Sequence, residues 1–317
     1  MKQTLTILRG RLCLLLCLGL FAACSSDDDE QTPSKKTYPL TIEVAENPLV
    51  NEGGEPVATK ATITTTSSLN KFYMSYMYAG GESSEKETAT KDVIDGKWKN
   101  SAGAELGWPS VATDVTVNWY AYTGGTFYRT DDADKKPYID FTDEEYAFGQ
   151  HDLLVATASG TYSGTGGKLS FTFDHVCSAL RFLVKKATNL GTSTLTVTKI
   201  KLCNVKKNGQ YYFNSGEWQS VQTEAEYTLY EGDSKSITDS YEYLNGSEND
   251  SYLFLIPQQL TGGTGTSETY VEVTWQSNYG TPTSGVAKIP LTKTLAKGYQ
   301  YDVKINIGRT TLTDYSN

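Results

Sequence analysis

The segment YPLTIEVA (38–45) sets Leu40, Ile42 and Val44 against Thr41 and Glu43, a period of two that predicts a strand with one buried face. The same signature recurs along the chain. KFYMSYMYA (71–79), GKWKN (96–100), DVTVNWYAYT (114–123), YIDFT (138–142) and HDLLVATA (151–158) are strand candidates bounded by Gly, Asn, Asp and Pro clusters. Further on, KLSFTFDHV, SALRFLVKKA, TLTVTKIKLCNV, QYYFN, GEWQS, YLFLIPQQL, TYVEVTWQ, VAKIPLT and GYQYDVKINIG continue the series. NPLVNEGGEPVATK (47–60) predicts a loop, GGESSEKETATKDV (80–93) a polar hairpin, and KKNG (206–209) a turn. Helical periodicity is nearly absent. SGTYSGTGG (159–167) places four glycines in nine residues and is the best domain boundary. Roughly seven or more strands per half predict an all-β fold of two β-sandwiches in tandem, 38–160 and 161–317.

The first residues carry Lys2, Arg9 and Arg11, followed by the apolar run LCLLLCLGLFAA (12–23). That run falls well short of the ~20 residues a spanning helix needs but suits a signal-peptide core. With Ala22 and Ala23 before Cys24 it resembles a bacterial lipobox, although Phe21 follows Leu20 where a small residue is usual. Residues 1–23 are thus expected to leave and Cys24 to carry lipid, which anchors without a spanning segment. Residues 24–37, with Asp27, Asp28, Asp29 and Glu30, read as a flexible acidic tether; the acidic run is either an outward-sorting signal or a solvated spacer.

Loss of the signal removes three basic residues and takes the net charge from −9 to −12. An acidic chain without a Lys/Arg cluster argues against nucleic acid as a partner. Of five cysteines, Cys177 and Cys203 remain after lipidation. They form one disulfide or stay as two buried thiols, and are too few for a framework or a metal site.

No constellation carries catalysis. His175 lies two residues from Cys177 with no third group to orient a base, so it reads as a satisfied histidine on a buried strand. The acid clusters at 131–134, 143–145 and 247–251 fall in predicted turns, and DDAD lacks a calcium-loop pattern. No cofactor or metal is expected. Among the tryptophans, Trp119 and Trp275 sit in alternating strands, whereas Trp108 and Trp218 lie near turns and are the candidates for stacking on a sugar.

Together, ATITTTSSLNKFYMSYMY (61–78), WPSVATDVTVNWYAYT (108–123), HDLLVATA, KLSFTFDHVCSALRFLVK, IKLCNV with GQYYF, and KGYQYDVKIN resemble the fimbrillin (Mfa-like) family of type V pilus subunits. The resemblance implies two transthyretin-like Greek-key β-sandwich domains, export as an outer-membrane surface lipoprotein and polymerisation into an adhesive fibre. It also implies a trypsin-like protease cutting after the first strand, here at Lys60-Ala61, where many members carry arginine. Leu40, Ile42 and Val44 would then be the plugs of a removable strand, replaced by a segment from another pilin subunit through β-strand addition. If Lys60 is spared, the subunit keeps its lipid and anchors the fibre. A host protein or glycan would be a further partner. The alternative is a lipid-anchored glycan-binding protein that does not polymerise.

Overall fold

The computed structural model describes residues 38–56, 69–78, 87–92, 94–109, 113–128, 137–142, 152–244, 252–278 and 283–308. Every element named below lies within one compact unit that ends at Asn317. The strands begin with β1 (Thr41–Glu46), β2 (Lys71–Tyr78), β3 (Glu87–Lys91), β4 (Trp98–Lys99), β5 (Val117–Tyr122), β6 (Thr126–Tyr128) and β7 (Tyr138–Thr142). Next come β8 (Leu154–Gly160), β9 (Lys168–His175), β10 (Ser178–Lys186), β11 (Leu195–Tyr212), β12 (Glu217–Ser236) and β13 (Glu242–Tyr243). The last are β14 (Tyr252–Leu255), β15 (Gln259–Leu260), β16 (Tyr270–Ser277), β17 (Thr283–Pro290), β18 (Lys293–Thr294) and β19 (Gln300–Ile307).

Alternation builds the first sheet. Along β9 every second residue is buried, so Leu169, Phe171 and Phe173 enter one core with Phe72 and Trp119. The sheet runs β1-β9-β8-β5-β2-β3-β4. Phe72 meets Phe171 and Phe173 edge to face, with centroids 5.9 and 5.2 Å apart, the geometry favoured by aromatic quadrupoles. A second core, including Leu180, Ile200, Tyr227, Val273 and Ile305, lies among β10, β11, β12, β16 and β19. A third cluster, including Tyr122, Ile139, Leu153, Val176 and Phe254, draws on strands from both parts of the chain. The molecule is all-β in the sandwich manner expected.

Three local readings change. Strand β9 follows the glycine stretch yet belongs to the first sheet, while β7, which precedes that stretch, pairs with β11. The glycines make a capped turn: Thr161 Oγ1 accepts from Gly164 N at 3.0 Å, opening α1 (Tyr162–Thr165). Gly167, at φ 76°, comes so close to β1 that a Cβ there would sit 2.5 Å from the Pro39 carbonyl oxygen. The expected turn KKNG instead lies inside β11, whose residues 208–212 pair with β7 on one side and with β12 on the other. Bulges absorb its turn-forming residues, at Cys203/Val205, where Asn204 takes φ 57°, and at Asn208/Gln210. Finally, the second half of the expected hairpin at 80–93 is β3, with Ala89 fully buried.

Candidate functional site

Among the described residues, strand β1 sits at the edge of the first sheet and pairs in parallel with β9 alone, from Thr41↔Lys168 to Glu46↔Phe173. Parallel pairing is slightly weaker per residue than antiparallel. What holds β1 is its inner face: Leu40 and Ile42 are buried and Val44 is half-buried against the Phe72–Phe171–Phe173 core. Leu40, Ile42 and Val44 thus face that core. Alongside β1 run two cavities of about 370 and 500 Å³, both lined by Ile42, Gly96 and Trp98, the second also by Val44 and Phe171. A backbone bond from Leu40 N to Leu106 O (2.9 Å) ties the strand's start.

Polar ties from β1 also converge on β9. Glu43 meets Lys168 at 2.6 Å in solvent, where an ion pair contributes little. Asn47 Nδ2 donates to Asp174 Oδ1 at 2.6 Å. The buried tie is at Glu46, whose Oε1 lies 3.2 Å from Nε2 of His175. The other ring nitrogen, Nδ1, contacts Asp152. All three side chains are 5% exposed or less. Burial opposes the charge on His175, but Asp152 and Glu46 outweigh it and raise the imidazolium to about 9. Burial likewise pushes the Asp152 carboxyl above its usual range, against the pull of His175. With both ring nitrogens facing carboxylates, neither is left to activate the Cys177 thiol.

The segment after β1, expected as loop, is docked as well. Leu49 is fully buried in the third cluster. Val50 donates to Gly298 O (3.0 Å) and accepts from Gln300 N (2.7 Å), while Glu52 pairs with Lys293. A chain cut at Lys60 would thus surrender two seats, one under β1 and one beside the start of β19. The sequence signal was present in the apolar pair Leu49-Val50 just ahead of the polar run NEGGE.

Other expected residues fare differently. Trp108 is 4% exposed and packs on Trp119 and Tyr162, centroids 5.4 and 5.9 Å away. Its expected exposure is therefore corrected: its backbone N donates to Tyr38 O (2.7 Å), turning the indole into the core beside β1. Trp218 is half-buried, with Nε1 donating to Val176 O at 2.7 Å. Cys24, Lys60 and Ala61 lie outside the described residues, as do the three acid clusters. Cys177 and Cys203 are fully buried thiols that are not joined in a disulfide, and burial pushes Cys203 up to about 12. Both are expected to resist alkylation in the native chain and to react once it is unfolded, read by peptide mapping. Prompt native labelling of either would contradict this packing.

Comparison with curated proteins gives no match. Among solved structures, a fimbrial protein from Bacteroides vulgatus ATCC 8482 is 17% identical, with 85% of this chain and 95% of that one covered and a TM-score of 0.56. A candidate cell adhesion protein from Bacteroides eggerthii DSM 20697 is 14% identical over 89% of each chain, at a TM-score of 0.49. The first of these shares the fold. Residues 59–316 match the fimbrillin-like family, a span that holds every strand after β1. The chain belongs to the fimbrillin-like family.

Proposed function

We propose that this protein is a structural subunit of an adhesive cell-surface fimbria, exported as a lipoprotein on Cys24 and assembled by strand replacement. A trypsin-like protease cuts at Lys60-Ala61, the 38–56 segment departs, and an extended segment of another pilin subunit takes its place. The observation that carries this reading is the position of β1: an edge strand, parallel to one neighbour, whose apolar face plugs an aromatic core. The family match, which begins at residue 59, leaves that strand outside. Strand addition suits such a seat, because main-chain bonds supply affinity and alternate side chains fill pockets. No enzymatic role is assigned, and a host protein or glycan remains the outward partner. The glycan-binding alternative loses Trp108 to the core.

Limited trypsin digestion near Lys60 is expected to convert the chain into a ladder of oligomers that survives mild denaturant. A chain that stays monomeric after complete loss of residues 24–60 overturns strand replacement. N-terminal sequencing of the surface form separates a chain starting at Cys24 from one starting at Ala61.

A further inference from the structure

We propose that the seat of β1 contains a polar subsite, His175 held by Asp152, that selects the strand occupying it for a hydrogen-bond acceptor at the position of Glu46. This rests on the strand-replacement reading above.

The geometry divides the trio in a telling way. Asp152 and His175 lie in the part of the chain that stays, and Glu46 in the part that leaves. Asp152 is fixed from behind: Thr123 Oγ1 donates to its carbonyl at 3.0 Å, and Leu153 beside it is fully buried. Its carboxylate engages Nδ1, so the ring keeps its orientation and Nε2 faces the place Glu46 occupied. Among the described residues the charged groups facing this ring are Asp152 and Glu46; Asp174, next along β9, turns to Asn47 instead.

Once β1 departs, water can serve Nε2. A new strand laid in the same register buries that nitrogen again. The residue opposite Phe173 then decides the outcome, because a buried N–H without an acceptor carries its full desolvation penalty. Period-two geometry puts residues 42, 44 and 46 on one face. The strand that fits therefore presents apolar side chains at the positions of Leu40, Ile42 and Val44, and a carboxylate two residues further on. An amide there meets the requirement in part, and an aliphatic side chain fails it. The apolar plugs give affinity, while His175 fixes identity and register: a slip of one residue turns the whole set to the other face.

The test uses the full chain nicked by limited trypsin digestion, with synthetic peptides of residues 38–47 as competitors for the seat. The wild-type peptide is expected to displace resident β1 about ten- to a hundredfold more effectively than its Glu46→Leu form at pH 7, with Glu46→Gln between them. The lead of Glu over Gln should vanish above pH 9, where His175 loses its proton. In the uncut chain, Glu46→Leu should speed amide exchange across residues 44–47, and Glu43→Leu, at the solvent-exposed tie, should not. If the wild-type and Glu46→Leu peptides compete equally, the subsite is refuted while strand replacement stands. If no peptide enters, wild type included, strand replacement falls and the subsite with it.

Discussion

Ile42→Asp is expected to free β1 while leaving the rest of the first sheet folded. Ile42 is 8% exposed and belongs to the core that includes Phe72, Phe171 and Phe173. Its removal forfeits about 1.5–3 kcal/mol of burial, and a carboxylate in its place has no partner on that face. Undocking costs less than burying the charge, so the strand leaves. Hydrogen exchange over residues 41–46 should then accelerate roughly a hundredfold, since about 3 kcal/mol corresponds to two decades. Residues 155–160 should hold their protection, because β8 remains paired with β5, whereas Lys168–Phe173, paired with β1, should lose theirs. Ala45→Asp, at an exposed position of the same strand, is the control and should change stability by no more than about 0.5 kcal/mol. Matching behaviour of the two variants would refute the inward face of β1. Cooperative melting of the whole sheet by Ile42→Asp would show that β1 cannot leave on its own.

Much of this architecture is legible in the chain itself, because a period of two is a direct statement about faces. KLSFTFDHV and YPLTIEVA each announce a half-buried strand, and both deliver it in register with one another. Their parallel pairing was not legible: sequence shows which face is buried, not which edge a strand meets. The glycines of 159–167 read as a linker because Gly marks both linkers and tight turns. What distinguishes them here is Gly167 lying against the Pro39 carbonyl, a contact between distant residues. KKNG misled for a related reason: its preference for turning is overridden by partners on both sides of β11, and bulges absorb the mismatch. For the site, Leu40, Ile42 and Val44 were readable from alternation. Glu46 continues the same period, yet a carboxylate on an apolar face gives no hint that a histidine some 130 residues later will meet it. Trp108 looked exposed beside its proline because local sequence does not show that Tyr38 pairs with its backbone.

That buried meeting also predicts the pH dependence of the folded state. Unfolding free energy is expected to fall by roughly 3 kcal/mol as pH rises from 6.5 through 9. The sign follows from His175. Its folded-state value of about 9 exceeds the ordinary 6.5, so the folded chain holds a proton that the unfolded chain has released. The stabilisation is complete below 6.5 and disappears as the pH climbs through 9. Asp152 acts in the same sense: burial raises its carboxyl, so the folded form favours the proton there as well. Glu226, held low chiefly by Lys201, and Asp92 and Asp95, held low by Lys99 and backbone amides, act in the opposite sense and only at the acid end. Cys203, raised to about 12 by burial, stays neutral in the folded chain while the unfolded thiol begins to ionise toward pH 9, a smaller loss in the same sense at the top of the window. Tyr211, also raised to about 12, stays neutral in both states. Urea titrations at half-unit pH intervals should therefore show the loss in wild type and a nearly flat profile for His175→Gln. A flat wild-type profile between 6.5 and 9 would mean that the imidazole carries no proton in the folded state. The contact with Glu46 would then not be an ion pair closing the seat of β1.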